Sequence, residues 1–96
     1  MKVSNMTSSK GDPVPNQLII DDGDFEYFQS YNSMIARKDW TFRKGSKQAC
    51  TIELDERYWD YSRTTSKYRN QFTGLTTAET KAGIKDGSII LVDLNG

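Results

Sequence analysis

The chain has 96 residues, 13 basic and 13 acidic side chains, one cysteine and no histidine, so its formal net charge is zero. The balanced charge argues against the broad basic surface of a generic polyanion binder. Without histidine and with a single cysteine, structural zinc sites, Ser-His-Asp and Cys-His mechanisms and an intrachain disulfide framework are excluded.

Met1 to Gln17 reads as a flexible tail ahead of a single domain over 18–96. The tail is rich in Ser, Asn, Thr and Lys and ends in Gly11-Asp12-Pro13-Val14-Pro15-Asn16, which resists helix and sheet alike. Met1 to Lys10 lacks the apolar run of a signal peptide, and no stretch approaches the ~20 apolar residues of a membrane span. The expectation is a cytoplasmic chain without membrane association. Leu18-Ile19-Ile20 is a short strand stopped by the turn cluster Asp21-Asp22-Gly23. Phe25 to Tyr31 is a strand by propensity, with Phe25, Tyr27 and Tyr31 on one face and Phe28 on the other. Residues 34–42 and 48–54 form a hairpin across Lys44-Gly45-Ser46-Lys47. In its second strand Cys50, Ile52 and Leu54 point inward, and Cys50 reads as a buried small hydrophobe.

The period changes after Asp55. Thr64-Thr65-Ser66 supplies N-cap oxygens for a helix over 65–73, and Gly74 suits its C-terminal end. Thr76-Thr77-Ala78-Glu79 is a capping-box pattern opening a second helix over 77–85. Ser88 to Val92 is a final buried strand. Strands first, then two helices, then a strand predict an α+β fold. The sheet is small and mainly antiparallel, with four to five strands and two short helices packed on one face.

One segment stands out in density. Residues 57–72 hold five aromatics, four basic residues and one acid. Arg57, Trp59, Tyr61, Arg63, Lys67 and Arg69 form a candidate binding set, since cations meet phosphates and rings stack on bases. A burial role competes with this one: Trp59, Tyr61, Tyr68 and Phe72 can pack the helix on the sheet, and Arg63 or Arg69 can pair with Asp55, Glu56 or Asp60. A second basic set lies on the hairpin: Arg37, Lys38, Trp40, Arg43, Lys44 and Lys47. It reads either as a probing tip or as an edge kept soluble by its lysines. The acids Asp21, Asp22, Asp24 and Glu26 lack the ligand spacing of a calcium loop. No carboxylate pair and no glycine-rich phosphate loop is apparent, so no enzyme, cofactor or metal is expected.

The run Tyr58 to Phe72 (YWDYSRTTSKYRNQF), with Ser30-Tyr31-Asn32 and Ile35-Ala36 upstream, resembles a group of small proteins from phages and prophages of Gram-positive bacteria. The resemblance spans about residues 25–94, and the 37–48 stretch is longer here than in that group. It implies a phage setting and no particular activity, and it carries no functional residue across. The reading that follows is a small accessory protein that binds and modulates a host or phage macromolecule, a protein before a nucleic acid, for example as a stoichiometric inhibitor of a host defence or transcription protein. The alternatives are a nucleic-acid-binding module built on 57–72 and a self-assembling component that dimerises through an edge strand.

Overall fold

The computed structural model describes residues 1–39 and 51–96. Trp40, Arg43, Lys44 and Lys47, the turn around Gly45 and the inward Cys50 all lie outside the described residues. Among the described residues six strands run in chain order: β1 (Lys2–Thr7), β2 (Pro13–Asp21), β3 (Phe25–Ser30), β4 (Ser33–Asp39), β5 (Thr51–Asp55) and β6 (Ile89–Val92). Helices α1 (Arg63–Thr73) and α2 (Thr77–Asp86) fall between β5 and β6. They form one sheet ordered β1-β2-β3-β4-β5-β6, with β1 to β5 an antiparallel meander and β6 parallel to β5. This is the expected α+β architecture, with six strands where four to five were anticipated.

The additional strand, β1, and the extension of β2 back to Pro13 come from the N-terminal segment, which is not a loose tail. Met6 is buried at 2% exposure, and Val3 to Asn5 pair with Ile20 to Leu18. The register shifts between Asn5 and Thr7, so Val14 to Asn16 have no direct partner there. Pro15 sits in that gap, where its missing N–H breaks no ladder bond. The loop joining the two strands is held by the Ser8 hydroxyl oxygen, which accepts from the amides of Lys10 and Asp12, both at 3.3 Å.

Strand alternation sorts side chains onto two faces. Phe28, Ala36, Leu54 and Ile89 point toward the helices and form the core with Met6, Ile35, Tyr68 and Phe72. Ile35 is the extra residue of a bulge, since Phe28 pairs with Ala36 while Gln29 pairs with Met34. The opposite face carries Ile20, Phe25, Tyr27, Arg37, Glu53 and Ile90, none of them in the core.

The first helix presents Thr65, Tyr68, Arg69 and Phe72 to the sheet, a stripe at i, i+3, i+4, i+7. Its N-cap is Ser62, ahead of the expected Thr64 to Ser66. The Ser62 backbone is extended, and its hydroxyl oxygen accepts from the Thr65 amide at 3.1 Å. Gly74 closes the helix at φ 78°, a left-handed geometry that costs glycine least. The second helix opens on the predicted capping box: Thr76 accepts from the Glu79 amide at 3.1 Å, and Glu79 accepts from the Thr76 amide at 2.9 Å. Gly83 brings this helix against β6, because a Cβ there would lie 2.6 Å from Ile89 Cδ1. No helix among the described residues is long and apolar enough to cross a membrane.

Asp55, fully buried at the end of β5, ties the chain's last turn to the sheet. Its carboxylate accepts from the amides of Arg57 and Tyr58 at 3.0 Å and of Leu94 at 2.9 Å. Burial alone would raise its pKa, but these amides outweigh it and hold the value below that of an ordinary aspartate. Asn95 then fills the slot beside Met34 that no strand occupies. Its side chain accepts from the Met34 amide at 2.8 Å and donates to the Met34 carbonyl at 3.0 Å.

Candidate functional site

The structure divides the basic–aromatic segment into an inner and an outer half. Arg69 has no exposed surface. Its guanidinium donates to the Trp59 carbonyl, to Asn70 Oδ1 at 3.0 Å and to Thr77 Oγ1 at 3.2 Å, and it lies 3.6 Å from Asp60 Oδ1. Burial pulls its pKa below the usual arginine value, and Asp60 acts against that pull. The Trp59 ring is half-buried beneath it, 5.3 Å from the guanidinium carbon. Through these contacts Arg69 joins the 56–62 loop to both helices. The Arg69 guanidinium is therefore taken up by loop and helix partners, and Trp59 keeps only part of its ring at the surface.

Arg57, Tyr61, Arg63 and Lys67 are exposed. Of the hairpin set, Lys38 lies on the helix-covered face, paired with Glu26 at 3.5 Å and over the Phe72 ring at 4.5 Å. Arg37 lies on the opposite face, paired with Glu53 at 2.8 Å. Neither is a free basic tip, because each faces a carboxylate on the neighbouring strand.

Tyr61 is 70% exposed rather than packed on the sheet, and it marks the rim of a cleft between the β3–β4 turn and the loop into α1. The cleft has a volume of about 490 Å³. One wall is the β3–β4 turn with Ser30, Tyr31, Asn32 and Ser33. The other is the loop into α1 with Tyr58, Tyr61, Ser62 and Thr65, and Ile35 supplies the apolar contact. At the base the Thr65 hydroxyl accepts from Ser62 at 3.0 Å and lies 3.4 Å from Ser30 Oγ, 35 residues away in the chain. Gln17, directly across the ladder from Ser30, is 1% exposed, and its Oε1 accepts no hydrogen bond.

The two aromatic walls are held differently. The Tyr58 and Tyr61 rings meet edge to face with centroids 5.7 Å apart. Tyr31 is fixed by its backbone: φ is 56°, rare for an aromatic residue, and its amide donates to the Asn16 carbonyl at 2.7 Å. Tyr31 is 61% exposed. Two exposed tyrosines thus flank a cleft of hydroxyls and one carboxamide, with no charged group among the described lining residues. Sequence reasoning selected only Tyr61 of these residues. The visible signal was the Ser30-Tyr31-Asn32 step, whose large aromatic sits where a tight turn favours glycine or asparagine.

Among the described residues no three potential metal-ligating His, Cys, Asp or Glu side chains cluster. No curated protein and no solved structure matches the chain. A family model does match, over residues 1–88, which takes in the N-terminal hairpin, both helices and the cleft. The chain therefore belongs to a family of unknown function, DUF8033.

Proposed function

We propose that this chain is a small non-catalytic accessory protein of phage type that acts in the cytoplasm. It binds and modulates a host or phage protein, which docks over the tyrosine cleft between the β3–β4 turn and α1. The observation that carries this reading is the pair of exposed rings, Tyr31 and Tyr61, at the mouth of an uncharged, hydroxyl-lined cleft. Rigid tyrosines with polar tips give large contact area at low entropic cost and commonly anchor protein interfaces. The strained backbone at Tyr31 supports it, because strain retained at an exposed residue marks a pre-positioned group. Among the described residues the lining holds no carboxylate, amine or imidazole, so it offers contacts and no acid–base pair. The test is affinity capture from host lysate with the wild-type chain and with Tyr61→Ala plus Tyr31→Gly. A protein enriched by the wild type and lost with the double variant is expected; equal enrichment by both would remove the cleft from the reading.

A second reading rests on Arg57, Arg63 and Lys67, three exposed cations in the segment that also presents Tyr61. They could track a nucleic-acid backbone while the ring stacks on a base. Titration with single-stranded oligonucleotides at two salt concentrations separates the two readings. Binding that falls steeply with salt and is lost on replacing the three cations with alanine would establish it.

A further inference from the structure

A single register row crosses the whole sheet on the face opposite the helices. Val3 pairs with Ile20, Ile20 with Tyr27, Tyr27 with Arg37, Arg37 with Glu53, and Glu53 with Ile90. Residues directly across a ladder point to the same face, so these six side chains form one stripe, one from each strand. The four apolar ones, Val3, Ile20, Tyr27 and Ile90, are absent from the described core and from the apolar residues packed against it. Both ends of the stripe are aliphatic and open to solvent, with Val3 57% and Ile90 46% exposed. Its centre is aromatic and cationic. The Arg37 guanidinium lies 4.8 Å from the Phe25 ring centroid, and the Phe25 and Tyr27 rings are 6.1 Å apart. Arginine and aromatics at the centre of an apolar stripe have the composition of an interface core, not of a solvated sheet face.

We propose that a second copy of the chain packs on this face, sheet against sheet, about a two-fold axis parallel to the strands. The order of the stripe selects both the occupant and the axis. An axis along the strands between β3 and β4 reverses the row. Val3 then meets Ile90 of the other copy, and Tyr27 meets its Arg37, aliphatic on aliphatic and ring on cation. Ile20 meets Glu53, whose carboxylate is already held by Arg37 at 2.8 Å. An axis across the strands would instead stack Arg37 on Arg37 and repel. A formal net charge of zero leaves no long-range repulsion between copies. Two sheets associated in this way lie ~10 Å apart with their strands rotated by ~30°. The arrangement differs from strand addition at β1 or β6, and it does not rest on the tyrosine cleft.

The test combines sedimentation with a crosslink. Val3→Cys and Ile90→Cys are made in separate chains, each carrying Cys50→Ser, then mixed and oxidised. Within one chain these positions lie at opposite edges, ~24 Å apart across five strand spacings, far beyond disulfide reach. The expected results are a wild-type dimer, a disulfide joining the two variants, and dimerisation at least about tenfold weaker in Arg37→Glu. A wild-type chain that sediments as a monomer into the high micromolar range would overturn the proposal. So would a dimer that forms no crosslink and survives Arg37→Glu, which would place the contact at a strand edge.

Discussion

Arg37 and Lys38 are neighbours in sequence and occupy opposite faces of the same strand. Each is paired with a carboxylate on an adjoining strand, Arg37 with Glu53 and Lys38 with Glu26. On the covered face Lys38 lays its stem beneath α1 and its ammonium over the Phe72 ring, so the cation serves packing. On the open face Arg37 lies among Phe25, Tyr27 and Glu53, with no helix of the described residues above it. Burial alone would lower its pKa, but the Glu53 carboxylate and the Tyr27 hydroxyl outweigh that and raise it. Period-two alternation thus gives one basic dipeptide two physical roles, and residue type alone does not separate them.

The contrast is broken most forcefully at the next pair of neighbours. Phe28→Ala should cost about 3–5 kcal/mol, measured by urea unfolding, because it empties the centre of the core. Tyr27→Ala on the open face should cost no more than about 1 kcal/mol in dilute chain, the worth of cross-strand contacts. Equal losses would mean that both faces are packed. Within α1, Arg69→Ala should cost about 2–4 kcal/mol, since it removes packing and orphans the Trp59 carbonyl. Arg63→Ala should leave the urea midpoint in place.

Gly83→Ala should cost about 1–3 kcal/mol by forcing Ile89 off its position on β6. A second substitution, Ile89→Val, should recover part of that loss. The smallest effect concerns Asp55. Its folded pKa lies below the ordinary 3.8, so its stabilisation is complete above that pH and is lost as pH falls through the lower folded value. Asp55→Asn should flatten the acid limb of a stability-against-pH curve, and an unchanged limb would assign acid sensitivity elsewhere.

Much of the fold was legible because local chemistry agreed with tertiary placement. Thr76 and Glu79 form the capping box their spacing announces, Gly74 takes the left-handed terminus, and Phe28 turns away from Phe25 and Tyr27. The N-terminal hairpin was hidden because Pro13 and Pro15 read as strand breakers. Only the register irregularity beside Asn5 reveals how a strand accommodates them. Arg69 illustrates a different limit. Thr65, Tyr68 and Phe72 already define an inward stripe, and position 69 belongs to it by phase, yet arginine reads as a surface residue until its buried partners are visible. The cleft was illegible for a third reason, since its walls meet only when the β3–β4 turn reaches the start of α1 across 35 residues.

The parallel β6 bears on the order in which the molecule is made. Strands β1 to β5 form a meander of near-neighbour pairings, the kind that assembles quickly. Ile89, and the Leu94 amide that reaches Asp55, lie beyond both helices in the chain. A nascent chain that has extruded only the meander therefore carries a sheet whose Phe28, Ala36 and Leu54 have no roof. That stretch of synthesis is the time when the protein is most exposed to misassociation, and the interval ends once α1, α2 and β6 have also been made.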